Sequence, residues 1–366
     1  METDLKAFLS SHGMKFDVSD DSYATLLEEH MKSERYYEFG EILLSRHEGQ
    51  ADISDVYNFL ETTQEVNLVF SSQSEMYLSL NSWLASKING YTSDCVTIGE
   101  LGFGSGTFLG WLANKYPDIN FVGLDRMENF IRLANNSFNN SNCRFERWDY
   151  ENTYPDGLAR CDVLISSLGI DFDTYGEYGP LSVDKIREND YYNSKKLEAQ
   201  RFFKAWRTAI TDEGALHVAL RIPTYLHFIA LIDAAVESGW AFEEKKFEKI
   251  LVSDQKIPAF TFIAKEDSKT SVSKLLEIWC QECPSTSINK IFKDAEAIAC
   301  FIKLENKTVL KTDQMTFSDG NTTAMTIGEN AEFGYSFSIA TNGSARLEIV
   351  PKERVAELEI RFDFDD

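Results

Sequence analysis

Residues 95–112 read Cys95-Val96-Thr97-Ile98-Gly99-Glu100-Leu101-Gly102-Phe103-Gly104-Ser105-Gly106-Thr107-Phe108-Leu109-Gly110-Trp111-Leu112. The stretch up to Leu101 is short and largely apolar, which predicts a buried strand over 95–101. From Phe108 to Lys115 the pattern is that of a helix, stopped near Pro117. Between the two, glycine recurs at 102, 104 and 106. Glycine at that spacing suits a tight turn in which φ is positive or a ligand approaches the backbone closely. The helix beyond the turn opens with backbone N–H groups that have no partner within the helix and so face that ligand. A dinucleotide fingerprint, G-x-G-x-x-G, is the natural competitor. Counted from Gly102 it ends on Thr107, and counted from Gly104 on Leu109, so neither frame fits.

Downstream, short apolar runs alternate with helical patterns, the mark of β-α-β units and a parallel sheet. Strands are predicted at 121–125, 143–148, 161–167 and 215–222, with extended runs at 242–252 and 260–265. Helices are predicted at 129–137, 197–210 and 225–238, the last stopped by Gly239. Asp212-Glu213-Gly214 reads as the close of the helix before the fifth strand. The fold class expected is α/β: a seven-stranded, mostly parallel sheet with helices on both faces.

Two flanks complete the chain. Residues 1–92 read as a helical segment, with Asp20, Asp21 and Ser22 placed to cap one helix and a further amphipathic helix at 75–88. Residues 93–267 form the sheet domain. Residues 268–366 are β-rich after a helix at 272–280, and Asn342-Gly343 between 335–339 and 345–350 is a hairpin signal. Residues 355–364 read as a helix or a final strand.

The 366 residues are 43% hydrophobic and 13% aromatic, enough for a sizeable core. Lys and Arg number 36 against 59 Asp and Glu, a net charge of −23, which repels phosphate backbones and disfavours a nucleic-acid partner. Lys185, Arg187, Lys195, Lys196, Arg201, Lys204 and Arg207 are interleaved with acids and read as a solvated helix face. The cysteines are Cys95, Cys143, Cys161, Cys280, Cys283 and Cys300. The one close pair, Cys280 and Cys283, lacks a second pair or matching histidines, so no metal site is expected. The acidic start at Met1 has no signal core and no run is long enough for a membrane span, from which a cytoplasmic protein is expected.

The run Glu100-x-Gly102-x-Gly104-x-Gly106 resembles motif I of class I methyltransferases, which carry a Rossmann-like sheet and use S-adenosylmethionine. The resemblance extends over about 95–266. It implies that Glu100 lies near the methionine end of the cofactor and that Gly102, Gly104, Gly106 and Thr107 pack along it. It further implies that Asp125, with Arg126 beside it, meets the ribose hydroxyls, a role suited to a carboxylate that can accept two hydrogen bonds. It also implies that Asp149 lies near the adenine amine, with Trp148 or Tyr150 against the ring, and that Ser166, Ser167 and Leu168 line the methyl-transfer pocket. In this family a helical N-terminal segment covers the cofactor, and Tyr36, Tyr37 and Phe39 are candidates for that cover.

The stretch after strand four, Ser167-Leu168-Gly169-Ile170-Asp171-Phe172-Asp173, lacks the Asn/Asp-Pro-Pro-Tyr/Phe of enzymes that methylate planar nitrogens. Asp171 and Asp173 could bind a cationic acceptor, act as a base or ligate a metal, and Tyr175 with Tyr178, Tyr191 and Tyr192 could shape its pocket or pack on helices. His217 reads as a core histidine. Arg221 and His227 follow the fifth strand, at the edge where open sheets bind ligands, with an ion pair the plainer reading of Arg221. The acceptor expected is a small molecule or a peptide. Transfer of an aminopropyl group, or a degenerate domain used as a scaffold, are the alternatives. The C-terminal segment could recognise substrate, form a lid or build a homodimer.

Overall fold

The computed structural model describes residues 1–91, 96–150, 152–168, 189–222, 225–252, 255–266, 274–275, 278–279, 297–298, 300–302, 304, 306–318 and 320–362. It falls into two compact units, one of Met1–Asp171, Lys204–Leu220 and Lys246–Lys265, the other of Phe172–Phe203, Arg221–Lys245 and Glu266–Asp366.

The first unit begins with helices α1 (Glu2–Ser11), α2 (Asp20–Met31), α3 (Ser33–His47), α4 (Ile53–Phe59), α5 (Thr63–Phe70) and α6 (Ser74–Ile88). Local chemistry sets their starts. Thr62 caps α5 by accepting from the Glu65 N–H, and Asp52 and Asp55 form a capping box on α4. The cap of α2 is Ser19, which accepts from Ser22 N–H, and the predicted Asp20-Asp21-Ser22 instead forms the first turn. These helices have no core of their own: Leu5, Phe39, Val66 and Leu84 share one buried cluster with Ile98, Phe121 and Ile165 of the sheet.

The sheet contains β1 (Thr97–Leu101), β2 (Asn120–Asp125), β3 (Cys143–Arg147), β4 (Cys161–Ser167), β5 (Ile210–Ala219), β6 (Ala241–Val252) and β7 (Gln255–Ile263) in the order β3-β2-β1-β4-β5-β7-β6. β1 to β5 pair in parallel, and β7 runs antiparallel to β5. That antiparallel insertion departs from the sequential 3-2-1-4-5-6 order of dinucleotide-binding sheets. Between strands come α7 (Thr107–Lys115), α8 (Glu128–Ser137), α9 (Asn189–Thr208) and α10 (Tyr225–Glu237). The chain leaves β1 to one side, toward β2, and β4 lies on the other. The crevice above the carboxyl ends of β1 and β4 is therefore the topological switch point, where open α/β sheets hold ligands.

Several boundaries differ from the sequence reading, β7 among them with its start at Gln255 rather than 260, and two of them concern residues singled out in the sequence. α9 starts at Asn189 rather than 197, so the end of the tyrosine-rich stretch is helical. β5 starts at Ile210 and takes in Asp212, Glu213 and Gly214, which were expected to close the helix. Glu213 bends there with φ of 62°, and the ladder to β4 is irregular between Cys161 and Val163. The turn-forming residues are thus a kink within the strand.

In the second unit, Trp240 is buried and donates to the Phe203 carbonyl at 3.0 Å, and Tyr192 hydrogen-bonds Asp233. A four-stranded antiparallel sheet follows in the order β11-β10-β9-β8, from β8 (Thr308–Thr316), β9 (Thr322–Glu329), β10 (Phe333–Ala340) and β11 (Ala345–Pro351). β10 and β11 make the hairpin that Asn342-Gly343 signals, with Gly343 at φ of 85°. The terminal segment is a helix, α11 (Val355–Phe362), whose Leu358 packs on Ile327 and Val350. Most of the predicted helix at 272–280 lies outside the described residues. No described helix is long and apolar enough to cross a membrane.

Candidate functional site

The turn after β1 has the backbone its glycines require. Gly102, Gly104 and Gly106 have φ of 71°, 58° and 72°, a region costly for residues bearing a Cβ. Gly106 also permits close packing: a Cβ there would lie 2.8 Å from Ala134 Cβ and from Phe145 Cε1. A Cβ on Gly104 would lie 3.1 Å from Phe70 Cε2. Thr107 begins α7 and is buried. Ser105 donates to Thr107 Oγ1 at 2.9 Å and accepts from Thr107 N–H, so the turn is fastened from within.

The turn is also fastened from outside, by a residue the sequence reading passed over. Asn67 of α5 is fully buried and donates through Nδ2 to Thr107 Oγ1 and to the His12 carbonyl, both at 2.8 Å. Three residues on, Phe70 approaches Gly104, stacks on Tyr77 at 5.1 Å and meets Tyr57 edge-on. The aromatic group that the N-terminal helices set beside the turn is therefore Phe70 with Tyr77 and Tyr57. The expected candidates are elsewhere: Phe39 is buried against Phe59, Tyr36 packs in the helical core, and Tyr37 is 67% exposed.

Two carboxylates stand at the ends of neighbouring strands. Glu100 of β1 is 3% exposed, and its Oε2 has no hydrogen-bond partner among the described residues. Burial, with Asp125 nearby as a second cause, pushes its pKa up to about 8. Asp125 ends β2 at 6% exposure, accepting from Met127 N–H at 2.9 Å and from Gly104 N–H at 3.3 Å. Burial raises its pKa as well, opposed by those two backbone donors. An ionised carboxylate has room for about four donors, so Asp125 retains acceptor capacity. Arg126 next to it is exposed.

Beyond β3, Asp149 and Tyr150 are half-buried, and the Tyr150 hydroxyl lies against the backbone of Gly102. Trp148 is a supporting residue rather than an open ring: it is buried, donates to the Asn152 carbonyl at 3.2 Å, and meets Tyr150 and Tyr154 edge-on. At the end of β4, Ser166 is buried and donates to the Leu101 carbonyl at 3.0 Å, tying β4 to β1 directly below the glycine turn. Ser167 is half-buried, and Leu168 takes a left-handed backbone, φ 59°, with its N–H on the Ala219 carbonyl. A β-carbon-bearing residue held in that region at a switch point is the kind of local strain that clusters at functional sites.

Asp171, Asp173, Tyr175 and Tyr178 lie outside the described residues, as do the side chain of Tyr191 and the cysteines Cys95, Cys280 and Cys283. His217 is a buried residue of β5 whose Nδ1 is 2.9 Å from Thr261 Oγ1, and burial lowers its pKa to about 3. Arg221 is exposed and His227 fully buried in the second unit, the latter also lowered to about 3 by burial and then by Lys195. The structure therefore brings Glu100, Gly102, Gly104, Gly106, Thr107, Asp125, Ser166 and Tyr150 around one turn.

No protein-family model matches the chain, and no curated protein matches it. Solved structures with a similar fold over about half of the chain include TrmN from Thermus thermophilus, at 15% identity and a TM-score of 0.36, covering 50% of this chain and 48% of that one. They also include a methyltransferase from Pyrococcus furiosus, at 12% identity and a TM-score of 0.34, covering 51% of this chain and 84% of that one. A third is an S-adenosylmethionine dependent methyltransferase from Mesorhizobium loti, at 16% identity and a TM-score of 0.35, covering 50% of this chain and 97% of that one. The chain thus spans about half the length of TrmN. These likenesses concern the fold, and the chemistry rests on the turn itself: three left-handed glycines between two buried carboxylates at a sheet switch point.

Proposed function

We propose that this chain is a class I methyltransferase that binds S-adenosylmethionine over the turn from Gly102 to Thr107 and passes its methyl group to a small-molecule or peptide acceptor. The observation that carries this reading is Glu100. A carboxylate buried with one oxygen unpartnered is costly unless a donor completes it. An ammonium group, such as that of the cofactor's methionine portion, supplies both the missing donor and a compensating charge. Asp125 faces the same turn from the next strand and suits a vicinal diol, and Asp149 and Tyr150 continue the site toward a base. The three glycines give the turn a left-handed backbone that residues bearing a Cβ adopt only with strain, and the nucleoside is placed against that backbone.

When bound, S-adenosylmethionine supplies an electrophilic methyl group on a sulfonium. The protein's share is placement and the exclusion of water. Ser166 ties the end of β4 to the Leu101 carbonyl beside the turn, and Leu168 follows in a left-handed backbone. Asp171, Asp173 and Tyr175, which follow β4 in the sequence, are the residues proposed to orient the acceptor or take its proton. The acidic chain, at −23, favours a neutral or cationic acceptor.

Titration calorimetry with S-adenosylmethionine tests the cofactor. Micromolar-range binding is expected, lost in Asp125→Ala; no binding at millimolar ligand overturns the reading. A labelled-methyl assay on cell extract, fractionated by acceptor class, tests the rest. Label confined to nucleic acid would refute the small-molecule or peptide acceptor while leaving the cofactor site standing.

A further inference from the structure

A second buried acceptor is left incomplete on the face of the sheet to which Glu100 points. Asn81 of α6 is 5% exposed, and its Oδ1 has no hydrogen-bond partner among the described residues. An amide oxygen buried in that way is costly unless a donor completes it.

Strand register and helical spacing place Asn81. Glu100 pairs with Ile165, Ile165 with His217, and His217 with Thr261, so these side chains form one row across β1, β4, β5 and β7 and share one face. Trp83 of α6 meets the His217 ring edge-on at 6.3 Å, so α6 covers that face. The next row toward the carboxyl ends of β4 and β5 is Ser167, Ala219 and Ala259. Met76 and Leu80 of α6 pack with Ala219 and Ala259. Leu80 is thus level with the upper row and Trp83 with the row of Glu100, and Asn81 falls between those heights.

Around the helix, Met76, Leu80 and Trp83 form the flank turned to β5 and β7. Each residue advances about 100°, which puts Asn81 about 160° from Trp83 and about 40° from Tyr77. Tyr77 stacks on Phe70, and Phe70 stands beside Gly104 in the turn after β1. The flank that carries Asn81 is therefore turned to β1 and β4. Its neighbours on that flank, Leu78, Leu84 and Ala85, are buried in the cluster that holds Ile98 and Ile165.

A carboxylate oxygen from the sheet and an amide oxygen from the helix are thus brought to one crevice. Both accept, so neither completes the other. A primary ammonium has three donors and a positive charge, and it can serve both. We infer that Asn81 is a ligand of the cofactor, accepting a hydrogen bond from the same methionine-end ammonium that Glu100 holds, an assignment that rests on S-adenosylmethionine being the cofactor. α6 then does more than cover the sheet. It makes the site selective for nucleosides that carry an amino-acid tail. An apolar side chain of similar size would suit the empty protein better, because it leaves no buried oxygen without a donor.

The test compares two nucleosides that differ in that tail, by titration calorimetry on the full chain. S-adenosylhomocysteine has the amino-acid portion, and 5′-methylthioadenosine lacks it. Asn81→Leu should weaken S-adenosylhomocysteine about tenfold, the share of one hydrogen bond to a charged group, and leave methylthioadenosine within about twofold. Asn81→Ala, which adds no bulk, should show the same selective loss. Asn81→Leu should also raise the urea midpoint of the ligand-free chain, a shift opposite to that expected if Asn81 held the fold together. Equal weakening of both nucleosides, unchanged S-adenosylhomocysteine affinity in the two variants, or a parent with no preference for S-adenosylhomocysteine would overturn the assignment and leave the nucleoside site standing. A parent that binds neither nucleoside would overturn the cofactor reading and this assignment with it.

Discussion

Gly104 and Gly106 share a left-handed backbone but answer to different neighbours. Gly106→Ala places a methyl 2.8 Å from both Ala134 and Phe145 in the core, so it should cost about 2–4 kcal/mol, read as a lowered urea midpoint. Gly104→Ala meets one edge of Phe70 at 3.1 Å, so it should cost about 1–2 kcal/mol while abolishing S-adenosylmethionine binding. Equal loss of stability in the two variants would contradict this division. Glu100 gives a prediction of its own. Its folded pKa, near 8, lies above the ordinary carboxylate range, so the folded state holds a proton that the unfolded chain has released. The stability this contributes is full at low pH and is lost as pH rises toward and through about 8. Binding a cationic ammonium at pH 7 should therefore release close to one proton, measured by calorimetry in buffers of different ionisation enthalpy. Glu100→Gln should release none and should flatten the pH dependence of stability over the same interval.

At the scale of elements, the join between α5 and the turn is the informative contact. Asn67 holds the His12 carbonyl and Thr107 Oγ1 with a single amide, and its own Oδ1 has no hydrogen-bond partner among the described residues. Asn67→Ala leaves the part-buried His12 carbonyl without this donor and Thr107 Oγ1 with only Ser105, which costs about 1–2 kcal/mol. It should also weaken cofactor binding, since Thr107 sets the first turn of α7. A variant that loses stability but binds S-adenosylmethionine as tightly as the parent would show that the join is structural only. This element was barely legible in the sequence. Residues 63–70 carry no motif, and Asn67 has meaning only because the fold sets it beside a residue forty positions away. The strand β5 shows the opposite error. Asp212-Glu213-Gly214 is a strong turn signal locally, but pairing with β4 overrides it and leaves a kink at Glu213.

Over the whole molecule, acid should destabilise the chain in a definable way. His217 and His227, one in each unit, are both buried with pKa values lowered to about 3. The unfolded chain takes up these protons in the ordinary imidazole range. Stability is thus full above that range and falls as pH drops toward 3, by about 1.4 kcal/mol per pH unit for each histidine. Urea titrations at several pH values measure the slope, and His217→Gln should remove one histidine's share. A slope unchanged in that variant would show that His217 is not the group being charged.

The sequence by itself determined the parallel sheet, the place of the glycine turn and the two carboxylates beside it. Those features are local: alternation of apolar runs with helices, Glu100 next to the last residue of one strand, a second strand ending in Asp125, and glycines whose spacing has few other uses. The hairpin at Asn342-Gly343 was legible for the same reason. Only the tertiary structure decided that Glu100 is buried with an oxygen unpartnered among the described residues, because burial depends on which distant segments pack around β1. It also replaced Tyr36, Tyr37 and Phe39 by Phe70 as the aromatic beside the turn, set Trp148 beneath the site rather than in it, and left β8 exposed at the edge of its sheet. Each of these depends on which distant segments pack together, and long-range packing is not written in the spacing of any one stretch.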